Sequence, residues 1–190
     1  MKNYTDKQVL DKAESIHGFK CIPSEYWLFG IRSEADVYDE FDDKFFVFKG
    51  REFIMSLTGT TNAGSSALLN YSKYNPLGTA ILKSDEWYYD VWSPGLHKGR
   101  MRCLKQVKPM FIYRDNNKNR KSEEIGKIYY KMVGIEFHAS TYSQDMSFIR
   151  KLIGGWSAGC QVINDTKRYY EALELFETQK TTSYCLVKEF

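Results

Sequence analysis

Trp156-Ser157-Ala158-Gly159-Cys160-Gln161-Val162, with the run Met132-Val133-Gly134-Ile135-Glu136-Phe137 ending at His138 a short way upstream, decides how this chain is read. The runs on either side are β-prone, and between them a thiol follows a glycine while an imidazole arrives from an earlier strand. That is how a chain builds an activated cysteine nucleophile. Free cysteine has a pKa of about 8.5 and is only a few per cent thiolate at neutral pH, so the thiol needs a basic partner held within about 3 Å of its proton. His138, fixed at the end of an apolar run, is the natural candidate.

Working outward, the 190 residues fit one domain, and 43% hydrophobic and 16% aromatic content exclude disorder. The 14 Tyr and 12 Phe suit pleated, half-buried surfaces more than a helical bundle. Tyr26 to Ile31 reads as a strand. Phe45 to Phe48 and Glu52 to Leu57 flank the turn Lys49-Gly50-Arg51 as a hairpin. Thr79 to Leu82, Trp87 to Val91, Met101 to Val107, Met110 to Tyr113 and Ser183 to Val187 are further strand candidates, and Thr58 to Ser66 reads as a polar, turn-rich loop.

Thr5-Asp6-Lys7-Gln8 has capping-box spacing, and Val9, Leu10, Ala13 and Ile16 follow at helical intervals before Gly18. Asn164 or Asp165 caps a second helix through Thr178, with Tyr169, Ala172, Leu173 and Phe176 on one face. The expected fold class is mostly β (α+β) with two helices: one domain over residues 1–190. Residues 1–43 form an N-terminal helix and strand extension of a core over 44–190.

Charge is uneven. From Lys98 to Lys131 there are eleven Lys or Arg against three acids, a local balance of +8 in a chain whose net charge is +3. A solvated face accounts for this, and no nucleic-acid module accompanies it, so no nucleic-acid partner is expected. No run of about 18 apolar residues exists and the N-terminus is polar. The expectation is therefore no membrane partner and no signal peptide, with synthesis in the cytoplasm. The four cysteines lack CxxC pairing, and no metal or cofactor is expected. Asp115-x-Asn117-x-Asn119 has the spacing that begins an EF-hand loop. Arg120 and Gly126 stand where that loop needs its turn glycine and its bidentate Glu, so a hairpin tip is the reading.

A cysteine in an apolar segment is usually a small buried hydrophobe. Here Trp156, Ser157, Ala158 and Gly159 make the surroundings small and polar instead. Cys160 is the candidate nucleophile and His138 its base. Gly159 permits close main-chain approach, and with Cys160 supplies N–H groups for an oxyanion. His97, in the glycine-rich stretch Ser93 to Gly99, is placed in a turn, where it reads either as an exposed loop histidine or as one lining the cleft. A zinc site of His97, His138 and Cys160 is the remote option, without HExxH-like spacing.

The order strand, His138, loop, Ser157-x-Gly159-Cys160, helix resembles the YkuD family of L,D-transpeptidase catalytic domains, whose signature is a histidine followed by [ST]-x-G-C. Thr58-Gly59-Thr60-Thr61-Asn62-Ala63-Gly64 is similar to that family's TG…TPxG-like stretch, and the likeness spans about residues 44–178. It implies a β-sandwich or barrel-like catalytic domain, with Cys160, His138, Ser157 and Gly159 as the catalytic set and no cofactor. Trp156, Ala158, Gln161 and His97 would contact substrate. The implied partner is a peptidoglycan stem peptide, attacked by Cys160 to form a thioester that an amine or water resolves.

Ala139 and Ala158 depart from the family pattern, and Gln161-Val162 replaces its hydrophobic-Arg pair. Gln161, or the basic segment 98–131, would then supply what the arginine does. Absence of a leader favours a wall-degrading enzyme delivered another way: a phage lysin, a virion-associated protein or an injected effector. The alternative is a catalytically inactive YkuD-like protein that binds wall or builds a virion.

Overall fold

Both faces of β1 (Tyr26–Arg32) are apolar, and both are covered. Side chains alternate along a strand, so Trp27, Phe29 and Ile31 pack on one side while Leu28 packs on the other with Tyr184 and Trp92. A strand buried on two faces needs an inner core and an outer cover, and the chain provides each. The computed structural model describes residues 2–190.

Along the chain follow β2 (Asp43–Lys49), β3 (Glu52–Thr60), β4 (Thr79–Leu82), β5 (Glu86–His97), β6 (Met101–Gln106), β7 (Met110–Asp115), β8 (Tyr129–Lys131), β9 (Phe137–Ala139), β10 (Gln161–Ile163) and β11 (Thr182–Lys188). Eight of the strands close into a barrel in the order β1-β11-β5-β6-β9-β10-β3-β2, and β4-β7-β8 form a separate small sheet. The mostly β, α+β architecture expected from the sequence is the one observed.

The outer cover is helix α1 (Asp6–Ser15). Its capping box forms as the sequence predicts, with the Gln8 N–H donating to Thr5 Oγ1 at 3.3 Å and the Thr5 N–H to Gln8 Oε1 at 2.9 Å. Val9, Leu10, Ala13 and Ile16 pack on Trp27, Phe29, Phe48 and Trp87. Each of the three larger aliphatic chains contributes about 1.5–3 kcal/mol by leaving water. Helix α3 (Thr166–Phe176), capped by Asp165, sends Tyr169, Ala172, Leu173 and Phe176 into the inner core with Phe137 and Trp92. Among the described residues no helix is long and apolar enough to cross a membrane.

Three local expectations are corrected. The loop expected over 58–66 instead completes β3 to Thr60 and then forms a further short helix, α2 (Ser65–Leu69), so the described residues hold three α-helices rather than two. The strand expected to stop at Val91 runs on to His97. It pairs first with β11 and then, from Trp92, with β6, passing Pro94 and Gly95 in register with Leu104 and Cys103. Proline and glycine read as a turn, yet long-range pairing holds them in a strand, and His97 ends a strand rather than sitting in a loop. Finally, of the apolar run before His138 only Phe137 is strand. The N–H groups of Val133, Gly134 and Ile135 all donate to Gln106 Oε1, at 3.0, 2.8 and 3.0 Å, so a side chain replaces the ladder there.

Candidate active site

β9 and β10 run parallel, with Gln161 opposite Phe137 and Val162 opposite His138. Phe137 points into the barrel core. Its neighbours Glu136 and His138 therefore face the other way, and both meet His97 at the end of β5. His97 Nδ1 hydrogen-bonds Glu136 Oε2, and the His97 and His138 rings stack with centroids 4.3 Å apart.

The turn before β10 presents Cys160. Ser157 Oγ donates to the Cys160 carbonyl at 2.9 Å and accepts from the Gly159 N–H at 3.1 Å, so one hydroxyl ties the turn together. Gly159 has φ of +121°, and a Cβ there would lie 2.3 Å from the Ala80 carbonyl oxygen. Only glycine fits. The segment matched upstream in the sequence packs directly on this turn: the Gly64 N–H donates to the Ser157 carbonyl at 3.0 Å, and Thr60 pairs with Val162. A Cβ on Gly64 would lie 2.3 Å from the Gly154 carbonyl oxygen.

Cys160 is half-buried on the wall of a cleft of about 300 Å3, which His97, Lys98, Tyr142, Trp156 and Ala158 also line. Its Sγ donates to the Gly134 carbonyl at 3.4 Å. Desolvation pushes the thiol up to about 12; a backbone hydrogen bond from Glu136 and the charge of Lys98 oppose this, while the Glu136 carboxylate adds to it. The resting sulfur is a neutral thiol.

His138 lies wholly beneath the surface. Its Nδ1 is 2.7 Å from the Ala139 carbonyl oxygen, which can only accept, so the ring proton sits on Nδ1 and the lone pair on Nε2. Nε2 has no hydrogen-bond partner among the described residues. Desolvation, with His97 beside it, pushes His138 down to about 3. At neutral pH it is an uncharged imidazole whose Nε2 lone pair has no partner among the described residues.

The structure thus gathers Cys160, His97, Trp156 and Ala158 on one cleft and sets His138 behind His97. Two predicted residues have other surroundings. Ser157 is nearly inaccessible and holds the turn. Gln161 is buried, with Nε2 donating to the Gly159 carbonyl at 3.2 Å and Oε1 accepting from Tyr184 at 2.8 Å, so its amide is used inside the barrel and not offered to the cleft. A sulfur–imidazole hydrogen bond is likewise not formed, since the thiol proton goes to Gly134.

Sequence reading missed Glu136 and Tyr142 as parts of the site, and took in Lys98 only as one end of the basic segment 98–131. Glu136 had a signal, a single carboxylate in an apolar run, which burial makes costly unless it is paired. Tyr142, whose ring lies 5.1 Å from that of Trp156, had none.

Among the described residues no three His, Cys, Asp or Glu side chains are grouped to hold a metal ion, so His97, His138 and Cys160 do not form the zinc set. In the Asp115 loop, Asp115 Oδ1, Asn117 Oδ1 and Asn119 Oδ1 accept from the N–H groups of Asn117, Asn119 and Lys121. Comparison of the chain with protein-family models, with curated proteins and with solved structures gives no match.

Proposed function

We propose that this chain is a cysteine acyl-transfer enzyme of the L,D-transpeptidase or L,D-peptidase kind, acting on peptidoglycan stem peptides. The observation that carries the reading is a cleft-lining thiol on the turn into β10, the strand that pairs with the one carrying His138, a buried imidazole whose tautomer is fixed by Ala139 and whose Nε2 has no partner among the described residues. The resemblance of the His138 and Ser157-x-Gly159-Cys160 elements to the YkuD family supplies the substrate class.

In this mechanism the substrate carbonyl displaces the thiol from Gly134. A carbon–sulfur bond forms as the thiol proton passes to His138 Nε2. The departing amine takes that proton as the acyl carbon–nitrogen bond breaks, leaving a thioester on Cys160. Water or a second amine then attacks the thioester, giving up its proton through His138 and restoring the thiol. A neutral thiol and a neutral imidazole favour proton transfer during attack over a preformed ion pair. The Gly159 N–H is engaged by Ser157, which leaves the Cys160 N–H as oxyanion donor, a contribution of about 3 kcal/mol in comparable sites.

One observation favours a second reading, an inactive wall-binding protein: the thiol is held neutral and bonded to a carbonyl. Incubation with isolated sacculi separates the two. The acyl-transfer reading expects a changed muropeptide profile that is lost in Cys160→Ala and reduced about a hundredfold or more in His138→Gln. Retention on sacculi with an unchanged profile would establish the second reading instead.

A further inference from the structure

The hairpin joining β5 to β6 turns through Lys98 and Gly99, with φ of +47° and +71°. Two left-handed residues in succession make the tight turn that suits the twist of paired strands, and Asn or Gly normally fills its first position because a long side chain there is strained. Here that position is a lysine. It is exposed, lines the cleft beside Cys160, and has no carboxylate partner among the described residues. The nearby carboxylate, Glu136, is already paired with His97. Lys98 is close enough for its charge to act on both Cys160 and His138, helping the first toward thiolate and the second away from protonation. Gln161 cannot serve as an anchor because its amide is used inside the barrel. Arg150 stacks behind Trp156, its guanidinium 5.0 Å from the ring centroid, and its Nε donates to the Ser140 carbonyl.

We propose that Lys98 is the specificity-determining cation of this cleft, binding a carboxylate carried by the acyl donor next to the carbonyl that Cys160 attacks. The inference rests on Cys160 being the nucleophile, and adds that neutral acyl donors, such as amidated stem peptides, are poor substrates. The left-handed turn, a conformation unfavourable to lysine, puts Lys98 on the lining of this cleft.

The test uses two alkylating probes of similar size, iodoacetate and iodoacetamide, that differ in charge. Rates at Cys160 are read peptide by peptide by mass spectrometry at pH 9, with the exposed Cys21 as internal reference. The variants are Lys98→Asn, which removes the charge yet suits the left-handed turn, and Lys98→Glu and Lys98→Arg. Wild type is expected to show an iodoacetate preference at Cys160, relative to Cys21. The preference falls about fivefold in Lys98→Asn, further in Lys98→Glu, survives in Lys98→Arg and fades in 0.5 M salt, as expected for charges several ångströms apart near a surface. Equal ratios in all four proteins would overturn the inference while leaving Cys160 reactive. Absence of labelling at Cys160 by either probe would instead remove the nucleophile reading, and this inference with it.

Discussion

A methyl group at position 159 would lie 2.3 Å from the Ala80 carbonyl oxygen, in a conformation that L-residues rarely adopt. Gly159→Ala is therefore expected to cost about 1–3 kcal/mol, read as a lowered midpoint in thermal or urea unfolding, and to disturb Cys160 as well. His138 gives a pH prediction whose sign follows from its depressed pKa. The unfolded imidazole, at about 6.5, binds a proton that the folded one, at about 3, refuses, so stability falls as pH drops from 6.5 toward 3. Asp43 works against this: burial raises its pKa to about 6, so it favours the fold as pH falls from 6 toward 3.8. In His138→Gln the first effect disappears, and the loss of stability between pH 6.5 and 4 should flatten or reverse relative to wild type. An unchanged acid limb would contradict the buried, neutral imidazole. At this scale the sequence was partly legible. Cys160 and His138 stood out by residue type, whereas the roles of Ser157 and Gln161 depend on contacts with the turn and with Tyr184 that spacing alone does not contain.

Gln106 shows what decides an element when periodicity does not. Its side-chain oxygen accepts three consecutive N–H groups from Val133, Gly134 and Ile135, bending that segment so that the Gly134 carbonyl reaches the Cys160 sulfur. Gln106→Leu leaves those donors without an acceptor, at a cost of about 2–4 kcal/mol. It should also speed amide hydrogen exchange at residues 133–135 selectively; uniform exchange rates would count against this role. Strands with clear alternation, and helices with caps, were readable from sequence: the Thr5–Gln8 capping box and the Asp165 cap both form. The far half of β5 was not, because Pro94 and Gly95 give local turn signals while the pairing that overrides them comes from β6. α2 was hidden for a similar reason, since its five residues are too few to show a helical period and gain their structure by packing Ala67 and Leu68 against Ile81.

Across the whole molecule, two apolar layers are stacked through one wall of the barrel, and the outer layer depends on ten residues of helix. Val9 is fully buried against Trp27 and its neighbours. Val9→Asp places an unpaired charge there and is expected to cost at least about 3 kcal/mol; the check is a lower unfolding midpoint with increased binding of an apolar dye. The mostly β class was legible from aromatic content and alternation. Barrel closure was not, because it depends on the parallel pairing of β1 with β11, strands from opposite ends of the chain. A second parallel pairing, of β9 with β10, sets the turn that carries Cys160 next to the strand that carries His138, so their placement belongs to the sheet and not to either segment.

The most direct test is to trap the intermediate. Protein mixed with a purified stem tetrapeptide and quenched in acid within its first turnovers should gain the mass of the peptide less its departing residue. Digestion should place that mass on the peptide containing Cys160, and hydroxylamine should remove it. No adduct forming on Cys160, or one forming unchanged in Cys160→Ala, would contradict the assignment of this cleft to acyl transfer.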